Sequence, residues 1–393
     1  KIFNFPNIFR KLIKLILSLI RSIHELVWGL LLIQIYGINI FVGIISISIP
    51  FFAVNAKVFR EELDNIDSKI IMSILEINGN KFSSLATLIW NPLLNTIGNF
   101  GFYRLECSLR SSTLLGLFGL GGIGTSIYLS FKALSFRELW TYLWSLGLLL
   151  IIFKIIFNSI NIKKLNSKLS LFIILGLITL SIVSLFYCSK FLLNPSYVFN
   201  LSINDFYFPY KKIISYEFIK LIFETILLSI SATAIAISLP PLISILFINK
   251  FWEPLIRTIS FFFRLIPPSI IVLILLMFNE PSISLAALSL GIHNAAITNK
   301  LLIYNLNHID RSQLIALNTI GTNKRINWLY SLFSKQSKSY LNYCVYRSDI
   351  LIRDTAIVGI IGSIGLGWQL QESISSFAWD EVFIILLSYS SIV

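Results

Sequence analysis

The sequence predicts an all-α, polytopic membrane helical bundle made of two homologous modules in tandem, and three observations carry that prediction. Apolar runs of about 18 residues or more recur along the chain without the period-2 alternation of barrel strands, and that is the length a helix needs to cross hydrocarbon. Hydrophobic residues make up 56% and charged residues 13%, with a mean hydropathy of +0.80, whereas a soluble domain carries roughly 25% charge. Lipid offers the backbone no hydrogen bonds, so long apolar runs must be helices. The third observation is a repeat: residues 57–124 and 300–367 align without a gap at a constant offset of 243 (300 − 57). The two segments share 15 identities in 68 positions, 12 of them neither Leu nor Ile, so shared apolarity does not produce the match.

In chain order, the first copy shows spans near 22–37, 39–56, 98–121 and 139–157. The second shows spans near 169–188, 218–248, 262–279, 282–298, 341–366 and 381–393, about ten in all. The modules are therefore placed at 1–160 and 169–393, joined by a short basic linker at 161–168. The offset sets Lys1 opposite Ser244, so the first copy lacks counterparts of the second copy's first two spans. A chain that starts at Lys1 and stops inside an apolar run is expected to be a fragment, and the intact protein to carry twelve spans. Orientation follows the distribution of Lys and Arg. The loop 299–340 holds Lys300, Arg311, Lys324, Arg325, Lys335 and Lys338 against one acid, Asp310, and is read as cytoplasmic together with the linker. Residues 189–216 then face the opposite side.

The net charge of +13 is read as cytoplasmic basic loops, with no nucleic-acid partner. Cys107, Cys188 and Cys344 form no CxxC pair, and the three histidines do not cluster, so no disulfide framework, metal site, cofactor or catalytic constellation is expected. Three features remain. The long loops 57–97 and 299–340 each contain a helical segment, Lys69–Ile77 and Ser312–Ile320, that ends in a polar turn before Lys81 or Lys324. Such an element is either a docking site for a soluble partner or a plain surface loop. Intramembrane charge is the second feature: Arg104, Glu106 and Arg110 in one copy match Arg347, Asp349 and Arg353 in the other. Acid and arginine four residues apart can neutralise each other on one helix face; Arg104 and Arg347 have no such acid and are the better candidates for an anion passage. The third is the glycine run Gly116–Gly124 and Gly359–Gly367, which lacks the Lys of a phosphate-binding loop and reads as close helix packing with a helix terminus.

These strings resemble the permease subunit of phosphonate-type ABC importers. The second copy carries the resemblance in Phe263-Arg264-Leu265-Ile266-Pro267, Ala287 to His293, Lys300-Leu301, Asn307 to Asp310, Ala316 to Gly321, Tyr346-Arg347, Arg353 and Gly362–Gly367. The first carries it in Arg21 to Trp28. The resemblance implies a passage formed by two permease modules, an extracytoplasmic substrate-binding protein, and a cytoplasmic ABC ATPase dimer docked on the long loops. It places coupling at Asp67, Gly79 and Lys81, and at Asp310, Ala316, Gly321, Lys324 and Arg325. Two departures stand out. Ile315 and Met72 occupy the place of the family's usual acidic residue, and Phe333-Ser334 replaces its Leu-Pro. The family usually supplies its modules as separate chains, so a tandem fusion is a further departure.

The expected function is that of a multi-pass permease in the plasma (inner) membrane of a bacterium, surrounded by membrane lipid and importing phosphonate or a related phosphorus oxyanion such as phosphite or phosphate. ATP is hydrolysed by another chain, so this one is not an enzyme. Arg104, Arg110, Arg347 and Arg353 are the candidate anion pathway. The competing readings are an ion-coupled secondary transporter with parallel repeats and a membrane scaffold without solute flux.

Overall fold

The computed structural model describes residues 7–64, 100–101, 104–105, 107–159, 176, 178–187, 189, 215–247, 252–307 and 312–392. All regular structure among them is helical. The chain divides into two compact units, 1–200 and 201–393. The first contains α1 (Asn7–Ser22), α2 (Glu25–Tyr36), α3 (Ile40–Asp64), α4 (Cys107–Leu120), α5 (Ile123–Lys132), α6 (Phe136–Ser159) and α7 (Ile178–Tyr187). The second contains α8 (Tyr216–Leu246), α9 (Glu253–Leu265), α10 (Pro268–Leu276), α11 (Ile283–Asn307), α12 (Ser312–Thr319), α13 (Lys324–Gly362), α14 (Gly365–Ser375) and α15 (Trp379–Ile392). Among the described residues two helices, α3 over Ile40–Glu61 and α8, are each long and apolar enough to cross a membrane, and four bent pairs pass the same test when each is one span.

The helix bounds follow the repeat. Moved by 243, both ends of α3 land on both ends of α11, and the start of α2 lands on Pro268, the start of α10. Phe136, where α6 begins, lands on Trp379, where α15 begins. The bends agree as well: α1 meets α2 at 87° and α9 meets α10 at 89°, while α4–α5 and α13–α14 bend by 55° and 63°.

These elbows correct two of the expected spans. The run 262–279 is not one straight helix but α9 and α10 at nearly a right angle. Ile266 (φ −77°, ψ 122°) is driven out of the helical region by the proline that follows it, and Pro268 suits the first turn of the new helix. The run 22–37 is also shorter than expected, because α2 starts only at Glu25. His24 is extended there (φ −69°, ψ 147°), and its Nδ1 accepts the Leu26 N–H at 3.2 Å. Upstream, α1 is a helix that the apolar-run reading passed over, since Arg10, Lys11, Lys14 and Arg21 interrupt the run.

The glycine run makes the second bend. Each partner glycine leaves no room for a side chain: a Cβ on Gly359 would lie 2.6 Å from the Ile364 carbonyl, and one on Gly367 would lie 2.4 Å from the Ala356 carbonyl. Gly116 and Gly124 meet the same obstruction, at 2.8 Å from the Gly121 carbonyl and 2.0 Å from the Thr113 carbonyl. Beyond the break, the Leu366 N–H at the start of α14 donates to Thr225 Oγ1 of α8 at 2.9 Å, so one orphan helix-end donor is satisfied.

In lipid, apolar burial gives helices no hydrophobic reason to associate, so close backbone approach and interhelical hydrogen bonds must hold them. α8 and α11 approach through Ala232, Ala236, Ala287 and Gly291, and a Cβ on Gly291 would come within 2.6 Å of Ile235. Pro240 and Pro241 interrupt α8 and remove the N–H groups that would have bonded the carbonyls of Ala236 and Ile237. Both carbonyls find side-chain donors instead. Thr298 Oγ1 of α11 donates to Ala236 at 2.9 Å, and Tyr340 Oη of α13 donates to Ile237 at 2.7 Å. Tyr340→Phe strands the Ile237 carbonyl in a site where Tyr340 is 1% exposed, and is expected to cost about 1–3 kcal/mol. A thermal shift of the purified protein measures it, and an unchanged midpoint contradicts this account of the proline pair.

Candidate functional site

The second unit describes most of one long loop. α12 buries none of its residues, and Ala316 on it is exposed. After α12 the chain turns through Gly321 (φ 81°), a conformation that favours glycine, and Asn323 Oδ1 then accepts the Arg325 N–H at 3.1 Å to start α13. Asn327, fully buried, knots the turn: its Nδ2 donates to Asn318 Oδ1 at 2.7 Å and to the Thr322 carbonyl at 3.2 Å, and its Oδ1 accepts from Thr322 Oγ1. Below the knot, α13 widens into a π-helical stretch over Trp328–Phe333. This stretch seats Trp328 and Leu332 among Leu302, Leu306, Tyr340 and Cys344. Trp328 and Phe333 stack with ring centroids 5.4 Å apart. The loop is thus a platform fixed to α11 and α13.

The outer surface of the platform is both basic and apolar. Lys324 and Arg325 are exposed on the first turn of α13. Around them Ile315, Ile320, Ile326 and Tyr330 are at least half exposed. Exposed apolar patches rimmed by polar groups mark surfaces that meet a protein, a membrane or a ligand. Asp310, Asp67, Gly79 and Lys81, the other expected coupling residues, lie outside the described residues, as does the helical segment Lys69–Ile77.

The four candidate pathway arginines fall two in each unit. Arg347, 7% exposed, donates from Nε to Asn294 Oδ1 at 2.7 Å, and Asn294 Nδ2 donates to the Leu290 carbonyl at 2.9 Å. Arg104 sits instead with its guanidinium carbon 4.6 Å from the centroid of Phe51. Phe51 and Asn294 are equivalent under the 243 offset, so the two arginines address the same helix position with different chemistry. Arg353 pairs with Asp349 at 2.7 Å, four residues back on the same helix. Arg110 is half-buried on α4, and its expected partner Glu106 lies outside the described residues.

Further polar groups join the helices, among them His293, read from the sequence as a helix–helix hydrogen bond. Arg264 is 8% exposed near the end of α9, and the offset pairs it with Arg21 on α1. His293 Nδ1 lies 3.1 Å and 2.9 Å from the Phe263 and Ile266 carbonyls, tying α11 to the α9–α10 elbow. Glu381 accepts from Ser373 at 2.9 Å, and Glu138 accepts from Ser130 at 3.4 Å, a pair that repeats at the same offset. Carrying the register past 57–124 in both directions exposes the arginine and serine–glutamate matches. Among the described residues no group of His, Cys, Asp or Glu could hold a metal ion, and Cys107 and Cys344 are free thiols.

No family model matches the chain, and no solved structure is significantly similar to it. Curated permeases are. The phosphate-import permease protein PhnE of Mycolicibacterium smegmatis is 22% identical over 95% of this chain and 73% of its own length. The phosphite transport system permease protein PtxC of Stutzerimonas stutzeri is 23% identical over 32% of this chain and 46% of its own length. These matches, one of them running through nearly the whole chain, relate it to the permease subunits of phosphonate-type ABC importers.

Proposed function

We propose that the chain is the membrane-spanning permease of an importer for phosphonate or a related phosphorus oxyanion, phosphite or phosphate, working with a separate ATPase dimer and an extracytoplasmic binding protein in a bacterial plasma membrane. The observation that carries this reading is the similarity to a phosphate-import permease along 95% of the chain. We further propose that the chain is a tandem duplication, with modules at 1–160 and 169–393 around the linker 161–168, each supplying half of the passage. The coincidence of helix bounds and elbow angles at the 243 offset supports this. These module limits follow the repeat register, whereas compactness alone groups residues up to 200 with the first unit.

In this mechanism the two long loops transmit nucleotide state from the ATPase to the bundle. Asn327 holds the turn, and the exposed apolar and basic patch around Lys324 and Arg325 meets the ATPase. Asp67, Gly79, Lys81 and Asp310 belong to the same two loops by sequence position. Arg104, Arg110, Arg347 and Arg353 provide positive charge inside the bundle to offset that of the passing anion. Arg353 is paired with Asp349 on its own helix.

Uptake of phosphate, phosphite and a simple alkylphosphonate into cells lacking other importers tests the function, with and without the co-expressed ATPase. Transport that persists without the ATPase and collapses with the ion gradient rejects it. The charge reversal K324E/R325E is expected to reduce co-purifying ATPase several-fold and uptake with it, at unchanged yield of the permease. If both stay at wild-type levels, this patch is not the docking site.

A further inference from the structure

Among the described residues, much of the apolar side of α1 is exposed. At 100° per residue, Lys11, Lys14, Ser18 and Arg21 gather in about one third of the circumference, and apolar side chains fill the remainder. Leu12 is 52% exposed, Leu15 60% and Leu19 46%. The helix carries four cations, Arg10, Lys11, Lys14 and Arg21, and no acid. It also leaves α2 at 87°, with the His24 cap holding α2 in its own start. α9 repeats the elbow at 89°, so the right angle is a built element of both units rather than a loose end.

We infer that α1 lies in the plane of the cytoplasmic membrane interface, its apolar side among acyl chains and Lys11 and Lys14 on the phosphates of anionic lipids. This placement rests on the reading of the chain as a membrane permease. α2 is followed by α3, which ends at the long loop assigned to the cytoplasm, and α1 touches α3. A helix at a right angle to α2 can lie in hydrocarbon, in water or at the interface between them. Within hydrocarbon its lysines would lose their hydration, while fully in water its leucines would remain uncovered. The interface satisfies both sides, as an amphipathic helix with a basic polar face does. Lys11 and Lys14, exposed on a helix that carries no acid, favour anionic over zwitterionic headgroups.

The test uses the full chain in nanodiscs of phosphatidylcholine mixed with phosphatidylglycerol. Nitroxide labels at L12C and L19C, in a background without the natural cysteines, are expected to collide with oxygen and not with a water-soluble nickel chelate. A label at S18C is expected to show the reverse preference. Native mass spectrometry is expected to show bound phosphatidylglycerol falling about twofold in K11Q/K14Q, with bound phosphatidylcholine unchanged. Labels at 12 and 19 shielded from both reagents would mean that protein covers this face, and labels open to the nickel chelate would mean water does. Equal phosphatidylglycerol retention by wild type and K11Q/K14Q removes the lipid-recognition role. None of these readouts involves uptake, so they stand or fall apart from the transport assignment.

Discussion

Gly367→Val is expected to eliminate folded, monodisperse protein, and transport with it. The new Cβ would sit 2.4 Å from the Ala356 carbonyl and 3.1 Å from Gly359 Cα, and both obstacles are backbone. Overpacking a flexible core typically costs ~1–3 kcal/mol, and here no neighbouring side chain can rotate away. α14 would be forced off α13, and the Thr225 bond to the Leu366 N–H would be lost with it. Gly147→Val on α6 is the control, because nothing lies within 4 Å of a Cβ at that position. Size-exclusion chromatography of the two variants side by side reads the result. Two normal elution profiles would show that the Gly359–Gly367 contact is not needed for the bend.

Arg347→Ala is expected to lower uptake per folded transporter about tenfold or more, the equivalent of ~1.4 kcal/mol. It is also expected to destabilise the second unit by roughly 1.5–3 kcal/mol, because Asn294 Oδ1 loses a charged donor. The two effects separate in a double-mutant cycle with Asn294→Ala. Pure packing predicts a coupling energy of about 0.5–3 kcal/mol in stability and normal uptake by whatever protein folds. A pathway role predicts that Asn294→Ala, which keeps the cation, transports better than Arg347→Ala at matched amounts of folded protein. Normal uptake by Arg347→Ala leaves only the structural role.

Much of the fold was legible because the 243 offset carries register as well as matching residues. The 243 offset, found from 57–124, transfers the bounds of α3 onto α11 although those helices lie mostly outside the aligned segment. The loop helix expected over Ser312–Ile320 forms as Ser312–Thr319, where a following glycine fixes its end. The Asp349–Arg353 pair follows from spacing alone. The elbows were not legible in the same way. Averaging hydropathy over a span blurs the two residues that matter, Pro267 and Pro268, and rejects α1 because four cations dilute its leucines. Nor does spacing single out Asn327. Its partners Asn318 and Thr322 lie nine and five residues away, and only closure of the turn brings them to one amide.

The proline pair of α8 has a genetic consequence. Each proline leaves a carbonyl that a hydroxyl on another helix reaches: Thr298 for Pro240 and Tyr340 for Pro241. With alanine at 240 or 241 the helix could bond its own carbonyl, and the distant hydroxyl would become dispensable. Sequence change at these four positions is therefore ordered. The least costly order has the hydroxyl arrive before its proline and leave after it, which couples change on α8 to change on α11 and α13.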